Sequence, residues 1–125
     1  MTNYSAIVLD EKSHNKLIEI FSPTWEDEEG WEILAHHCTL QMGELPQEMK
    51  DYIGQEFTIK VLAFAGDDKV KAVEVECPIP TKNKIPHITL AVNRKNGGKP
   101  VMSNNLMNWA PVTDGIYIAG TVMEV

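Results

Sequence analysis

One tetrapeptide occurs twice in the chain, as His37-Cys38-Thr39-Leu40 and His87-Ile88-Thr89-Leu90, with the two histidines 50 residues apart (87 − 37). Each copy lies in a run rich in β-formers. Successive side chains of a strand point to opposite faces, so residues i and i+2 share one. In both copies the histidine and the threonine therefore look one way. Cys38 with Leu40, and Ile88 with Leu90, look into the core. The fold must contain two strands that each show an imidazole and a hydroxyl on one face and bury the other. Two imidazoles and two hydroxyls around one point can bind a phosphate and move protons on both sides of it.

The rest of the chain supplies the scaffold. Tyr4 to Leu9 reads as a strand. Asp10 is the N-cap of a helix over residues 11–21, whose apolar stripe is Leu17, Ile18, Ile20 and Phe21 and whose end is Ser22-Pro23. His14 falls on its polar side, as a solvated surface residue. Residues 22–30 form an acidic, solvated loop around Glu26, Asp27, Glu28 and Glu29, with Trp25 as a lid or an edge cover. Residues 31–42 form the first motif strand. Ile33, Ala35, His37, Thr39 and Gln41 share one face, which puts His36 on the other as a structural residue. A bulge would reverse that assignment.

A short helix follows over residues 45–53, with Pro46 in its first turn and Gly54 as its stop. Residues 57–65 and 70–75 form an antiparallel hairpin through Gly66-Asp67-Asp68. Residues 77–84 are an exposed connection. The second motif strand spans residues 87–92, and a basic loop covers residues 93–100. Ser103 caps a short helix through Trp109, and the last strand runs from residue 116 to 125, with Gly120 at a bulge. The order β-α-β-α-β-β-β-α-β predicts an α+β fold, with helices packed on mainly antiparallel sheet. Its two related halves would face each other across a cleft that unites the motif strands.

Length and charge narrow the function. At 125 residues the chain is a single domain, or a tightly fused pair of half-domains, that buries roughly two thirds of its unfolded surface. A formal net charge of −7 argues against a broad footprint on duplex nucleic acid. It suits a small anionic substrate held by a local set of donors. No apolar run approaches the roughly 20 residues of a membrane span. With no basic, cleavable apolar stretch at Met1–Tyr4, the expected location is the cytoplasm. Cys38 and Cys77 are expected as reduced thiols. No metal-ligand spacing is present, so neither metal nor cofactor is expected.

The paired motifs carry the chemistry. One neutral imidazole can take a proton from a nucleophile while the other, protonated, gives one to a leaving oxygen. Hydroxyls on rigid strands meet the negative charge of a phosphoryl transition state. His37 and His87 are thus the acid–base pair, and Thr39 and Thr89 the phosphate donors. Parity turns Cys38 away from His37, which removes a Cys–His nucleophilic pair. Arg94, Lys95 and Lys99 are candidates to touch a second phosphate or a ribose. Trp109 is a candidate to stack a base, as are Trp25 and Trp31. Ser103 and Asn104 either line the cleft or cap a helix.

The two tetrapeptides resemble the paired HxTx signatures of the 2H phosphoesterase superfamily. Its members include RNA 2',3'-cyclic phosphodiesterases once described as RNA ligases, the cyclic phosphodiesterase domains of fungal and plant tRNA ligases, and phage enzymes that destroy cyclic-oligonucleotide immune signals. The resemblance implies a two-lobed α+β fold with pseudo-twofold symmetry about a central cleft. It also implies metal-independent opening of a 2',3'-cyclic phosphate on a nucleotide or RNA end, typically to a 2'-phosphate. The alternatives are cleavage of a cyclic oligonucleotide signal and a non-catalytic nucleotide- or RNA-binding module.

Overall fold

The computed structural model describes residues 2–125. Eight strands form: β1 (Tyr4–Leu9), β2 (Trp31–Ile33), β3 (His37–Met42), β4 (Glu56–Gly66), β5 (Val70–Glu76), β6 (His87–Asn93), β7 (Ala110–Pro111) and β8 (Tyr117–Glu124). Six of them close on themselves in the order β6-β3-β1-β8-β4-β5, with β5 returning to β6. Every neighbouring pair in this ring is antiparallel. Closure gives each of the six a partner on both sides, so none presents a free edge along its paired length. β2 pairs with the far end of β6, and β7 lies on β4.

The alternation that makes the strands also fills the barrel. Ile7, Cys38, Leu40, Ile59, Val61, Val73, Val75, Ile88, Leu90, Ile118 and Val122 point inward and belong to one cluster. A barrel this narrow is packed solid by its own side chains. The motif residues that alternate with Cys38, Leu40, Ile88 and Leu90 consequently lie on the outer wall.

One α-helix forms, α1 (Glu11–Phe21), where the sequence predicts it. The Asp10 carboxylate accepts from the Ser13 N–H at 2.7 Å, and Leu17 and Phe21 are buried. The Ser13 hydroxyl accepts from the Ala119 N–H at 2.8 Å, which ties the helix to β8. The other two expected helices are 3₁₀ segments, Gln47–Tyr52 and Pro100–Asn105. Six residues are too few to recover the cost of nucleating an α-helix. Ser103 lies inside the second segment and is not its cap.

The expected two-lobed α+β fold is therefore incorrect. The chain is a closed six-stranded antiparallel barrel, mostly β, and no two halves face each other. The C-terminal strand β8 sits between β1 and β4, which welds the start and middle of the chain into one wall. Trp25 is not a lid; it is 3% exposed and packs in the core. Gly120 marks no bulge, because the register with both β1 and β4 runs through it unbroken. It is a point of close approach, where a Cβ would stand 2.6 Å from the Val8 carbonyl oxygen. Among the described residues no helix is long and apolar enough to cross a membrane.

Candidate active site

The first motif strand is interrupted just before its histidines. β2 pairs with β6 in the register Trp31–Asn93 to Ile33–Ala91. Continued, that register would set Cys38 opposite residue 86, yet Cys38 pairs with Ile88. Two extra residues are accommodated between Ile33 and Cys38. Buried Ala35 takes up the turn with a left-handed φ of +48°, a conformation that costs about 1 kcal/mol or more for a residue with a Cβ. The surroundings hold it there. Its N–H donates to Thr89 O at 3.0 Å, and its carbonyl accepts from His14 Nδ1 at 3.0 Å. A carbonyl only accepts, so His14 Nδ1 carries the proton. His14 is therefore a half-buried brace for this break and not a solvated surface residue.

The break brings His36 to the same side as His37. His36 is exposed, and the two Nδ1 atoms are 2.9 Å apart with the rings near perpendicular at 83°. The expectation of a structural residue on the opposite face is corrected. The Tyr4 ring stacks on His37 with centroids 4.7 Å apart. Burial, the like charge of His36 and that of His87 lower the His37 pKa to about 4. At neutral pH His37 is an uncharged base.

β3 and β6 are neighbours, and the Cys38–Ile88 pairing sets the two motifs side by side and antiparallel. His36, His37, Thr39, His87 and Thr89 line one cleft of about 810 Å³ on the outer wall, within the range of nucleotide-sized ligand sites. His87 Nδ1 donates to Ile85 O at 2.8 Å, which leaves Nε2 for a substrate. Thr89 Oγ1 is 2.8 Å from Ser103 Oγ, itself buried at 1% exposure. The Thr39 hydroxyl makes none of the side-chain hydrogen bonds found among the described residues. Cys38 is sealed beneath the motif strand, where its hydrogen bond with Cys77 and its burial push the thiol up.

The floor of the cleft was legible in the sequence; one of its walls was not. The connection after β5 folds back along β3 as a strap. Thr81 Oγ1 lies 3.1 Å from the carbonyls of both Thr39 and Leu40, the Lys82 N–H donates to Leu40 O at 2.7 Å, and Asn83 Nδ2 donates to Thr39 O at 3.3 Å. Lys82 and Asn83 thereby join the cleft lining, as does Asn104 of the second 3₁₀ segment. The only sequence signal was the alternation Lys82, Asn83, Lys84 leading into His87.

The residues expected to grip substrate are mostly elsewhere. Arg94 and Lys95 follow β6 at the end away from His87, roughly 20 Å along the strand. Arg94 Nε pairs with Glu32 at 2.7 Å, and Lys95 Nζ with Glu29 at 3.2 Å. Lys99 is exposed beside Pro100, which lines the cleft, but does not line it itself. Trp109 borders a smaller adjoining pocket and donates its indole N–H to Leu106 O at 3.1 Å. Trp31 lies under the Lys71 ammonium at 5.3 Å.

Two imidazoles with Nδ1 engaged and Nε2 spare, two hydroxyls and one ammonium can bind a phosphate, remove a proton on one side of it and supply one on the other. The family model of the fungal tRNA ligase phosphodiesterase domain matches residues 9–123. No curated protein matches the chain at a significant level.

Proposed function

Since the chain belongs to the fungal tRNA ligase phosphodiesterase domain family, a 2H phosphoesterase-type family, we propose that it hydrolyses a 2',3'-cyclic phosphate on a nucleotide or RNA end by two-histidine acid–base catalysis. The observation that carries this reading is the convergence of both His-x-Thr units on one cleft, each histidine anchored through Nδ1.

His37 is the base and His87 the acid. Nε2 of His37 takes a proton from water as the water oxygen bonds to phosphorus. Nε2–H of His87 gives a proton to the departing ribose oxygen, and the ring opens to a phosphomonoester. The hydroxyls of Thr39 and Thr89 and the ammonium of Lys82 meet the charge that collects on the non-bridging oxygens. Ser103 fixes the Thr89 hydroxyl, which lowers the cost of orienting it in the transition state.

The Nδ1–Nδ1 contact gives His36 a defined part. For His37 Nε2 to be basic, its proton must sit on Nδ1, which donates to His36 Nδ1. His36 is then the acceptor and carries its own proton on Nε2. His36 is a positioning residue that selects the working tautomer of His37.

The test is turnover of nucleoside 2',3'-cyclic phosphates by the wild type and by His37→Ala and His87→Ala, with circular dichroism confirming the fold. Each substitution is expected to lower kcat by about 10²–10⁴ with little change in KM. Folded variants that keep wild-type kcat would refute the assignment. Absence of any turnover by the folded wild type would point to a binding module.

A further inference from the structure

The larger cleft has a neighbour. A second pocket of about 250 Å³ is bounded by Lys82, Asn83, Lys84, His87, Ser103, Asn104 and Trp109, among others. Lys82, Asn83, His87 and Asn104 belong to both spaces. They form a common wall, so occupants of the two would be immediate neighbours. At this size the smaller pocket falls below the range for a whole nucleotide. It has room for one compact group.

Its chemistry says which group. The chain has 18 acidic residues against 11 basic ones, yet no carboxylate lines either space. The ionisable groups there are His36, His37, Lys82 and His87 in the cleft, with Lys82, Lys84 and His87 in the pocket. Among the described residues Lys50, Arg94 and Lys95 are spent on ion pairs, whereas Lys82 and Lys84 form none. Both lysines sit on a strap held at each end. Thr81, Lys82 and Asn83 bond to the β3 backbone, and the Ile85 carbonyl receives His87 Nδ1. A cationic segment fixed beside a pocket of mixed polar and apolar lining, in a protein of net negative charge, is a local anion site.

We infer that Lys84, with Lys82 and Asn104, forms a second phosphate subsite next to the catalytic cleft, so that the preferred substrate carries a further phosphate one ribose away from the cyclic one. This rests on the cyclic-phosphodiesterase reading and sharpens it. A 5'-phosphorylated nucleotide or the end of an oligonucleotide is favoured over a bare nucleoside cyclic phosphate. Lys82, on the shared wall, serves both phosphates. Lys84 borders only the smaller pocket and serves the second.

The experiment is calorimetric titration with product-like ligands, which needs no turnover. A nucleoside 2'-monophosphate is compared with the 2',5'-bisphosphate in wild type, Lys84→Ala, Lys84→Arg and Lys60→Ala. Lys60, on β4, lies across the barrel from β3 and controls for net charge. In wild type the bisphosphate is expected to bind about tenfold tighter, equal to about 1.4 kcal/mol. The advantage should shrink as salt rises. Lys84→Ala should bring the ratio of the two affinities close to one, while Lys84→Arg and Lys60→Ala keep it. A dinucleotide ending in a 2'-phosphate separates the sources: sharing the advantage means an internucleotide phosphate is accepted, and lacking it means a terminal one is required. A wild-type ratio near one, or an equal loss in Lys60→Ala, overturns the subsite. If cyclic phosphate is still turned over, only the subsite has failed. If neither ligand binds and nothing is turned over, the catalytic reading has failed with it.

Discussion

Burial and the like charges of His36 and His87 leave the His37 imidazole with a pKa of about 4, and that has a kinetic consequence. The acid limb of kcat/KM reports loss of the base, so it should lie well below the ordinary histidine value of about 6.5. His36→Ala removes a like charge and part of the burial, so the limb should move up towards 6.5, with kcat at pH 7 reduced by about tenfold. An unmoved limb would show that His36 does not act on His37. At this scale the sequence was informative where parity held. It located both His-x-Thr units and the inward Cys38, Leu40, Ile88 and Leu90. It failed at His36 and His14, because a two-residue register shift and a left-handed alanine leave no periodic trace. It failed for Arg94 and Lys95 because their carboxylate partners are some 60 residues distant in the chain.

Strands carry the site, and their spacing tolerates little. Gly120 lies where β8 passes β1, with Ile7 and the Val8 backbone filling the position of a Cβ. Gly120→Ala forces two paired strands apart and should cost about 1–3 kcal/mol, read as a lower midpoint of chemical denaturation. An unchanged midpoint would refute the close approach. All but the weakest strands were legible from alternation, as was α1 from its cap and stripe. The two short helices were not, since the same apolar spacing over six residues satisfies two turns of 3₁₀ helix. Residues 77–84, which include most of the strap, read as an exposed connection. The role of the strap depends on side-chain bonds to the β3 backbone, which no local pattern encodes.

The lowered His37 pKa sets how the stability of the whole molecule responds to pH. The unfolded chain protonates His37 near 6.5, whereas the folded chain resists until about 4. Between those values the unfolded state binds more protons, so acidification destabilises the protein. The melting temperature should fall from pH 6.5 to pH 4, and His37→Asn should reduce that fall. An equal fall in the variant would locate the titration elsewhere. The barrel itself was not legible, because alternating strands allow either open sheets or a closed ring. The choice was made by β8 inserting between β1 and β4, pairings remote in sequence, together with the antiparallel return of β6 onto β5. Under the proposed function two imidazoles would supply both proton transfers, and hydroxyls with Lys82 would meet the phosphoryl charge. The most direct test is a phosphorus NMR time course of a nucleoside 2',3'-cyclic phosphate in EDTA at pH 7. The account predicts steady conversion to a single 2'-phosphomonoester by the wild type and none above background by His87→Ala. Conversion only after a divalent ion is added, or at equal rates in the two proteins, would contradict it.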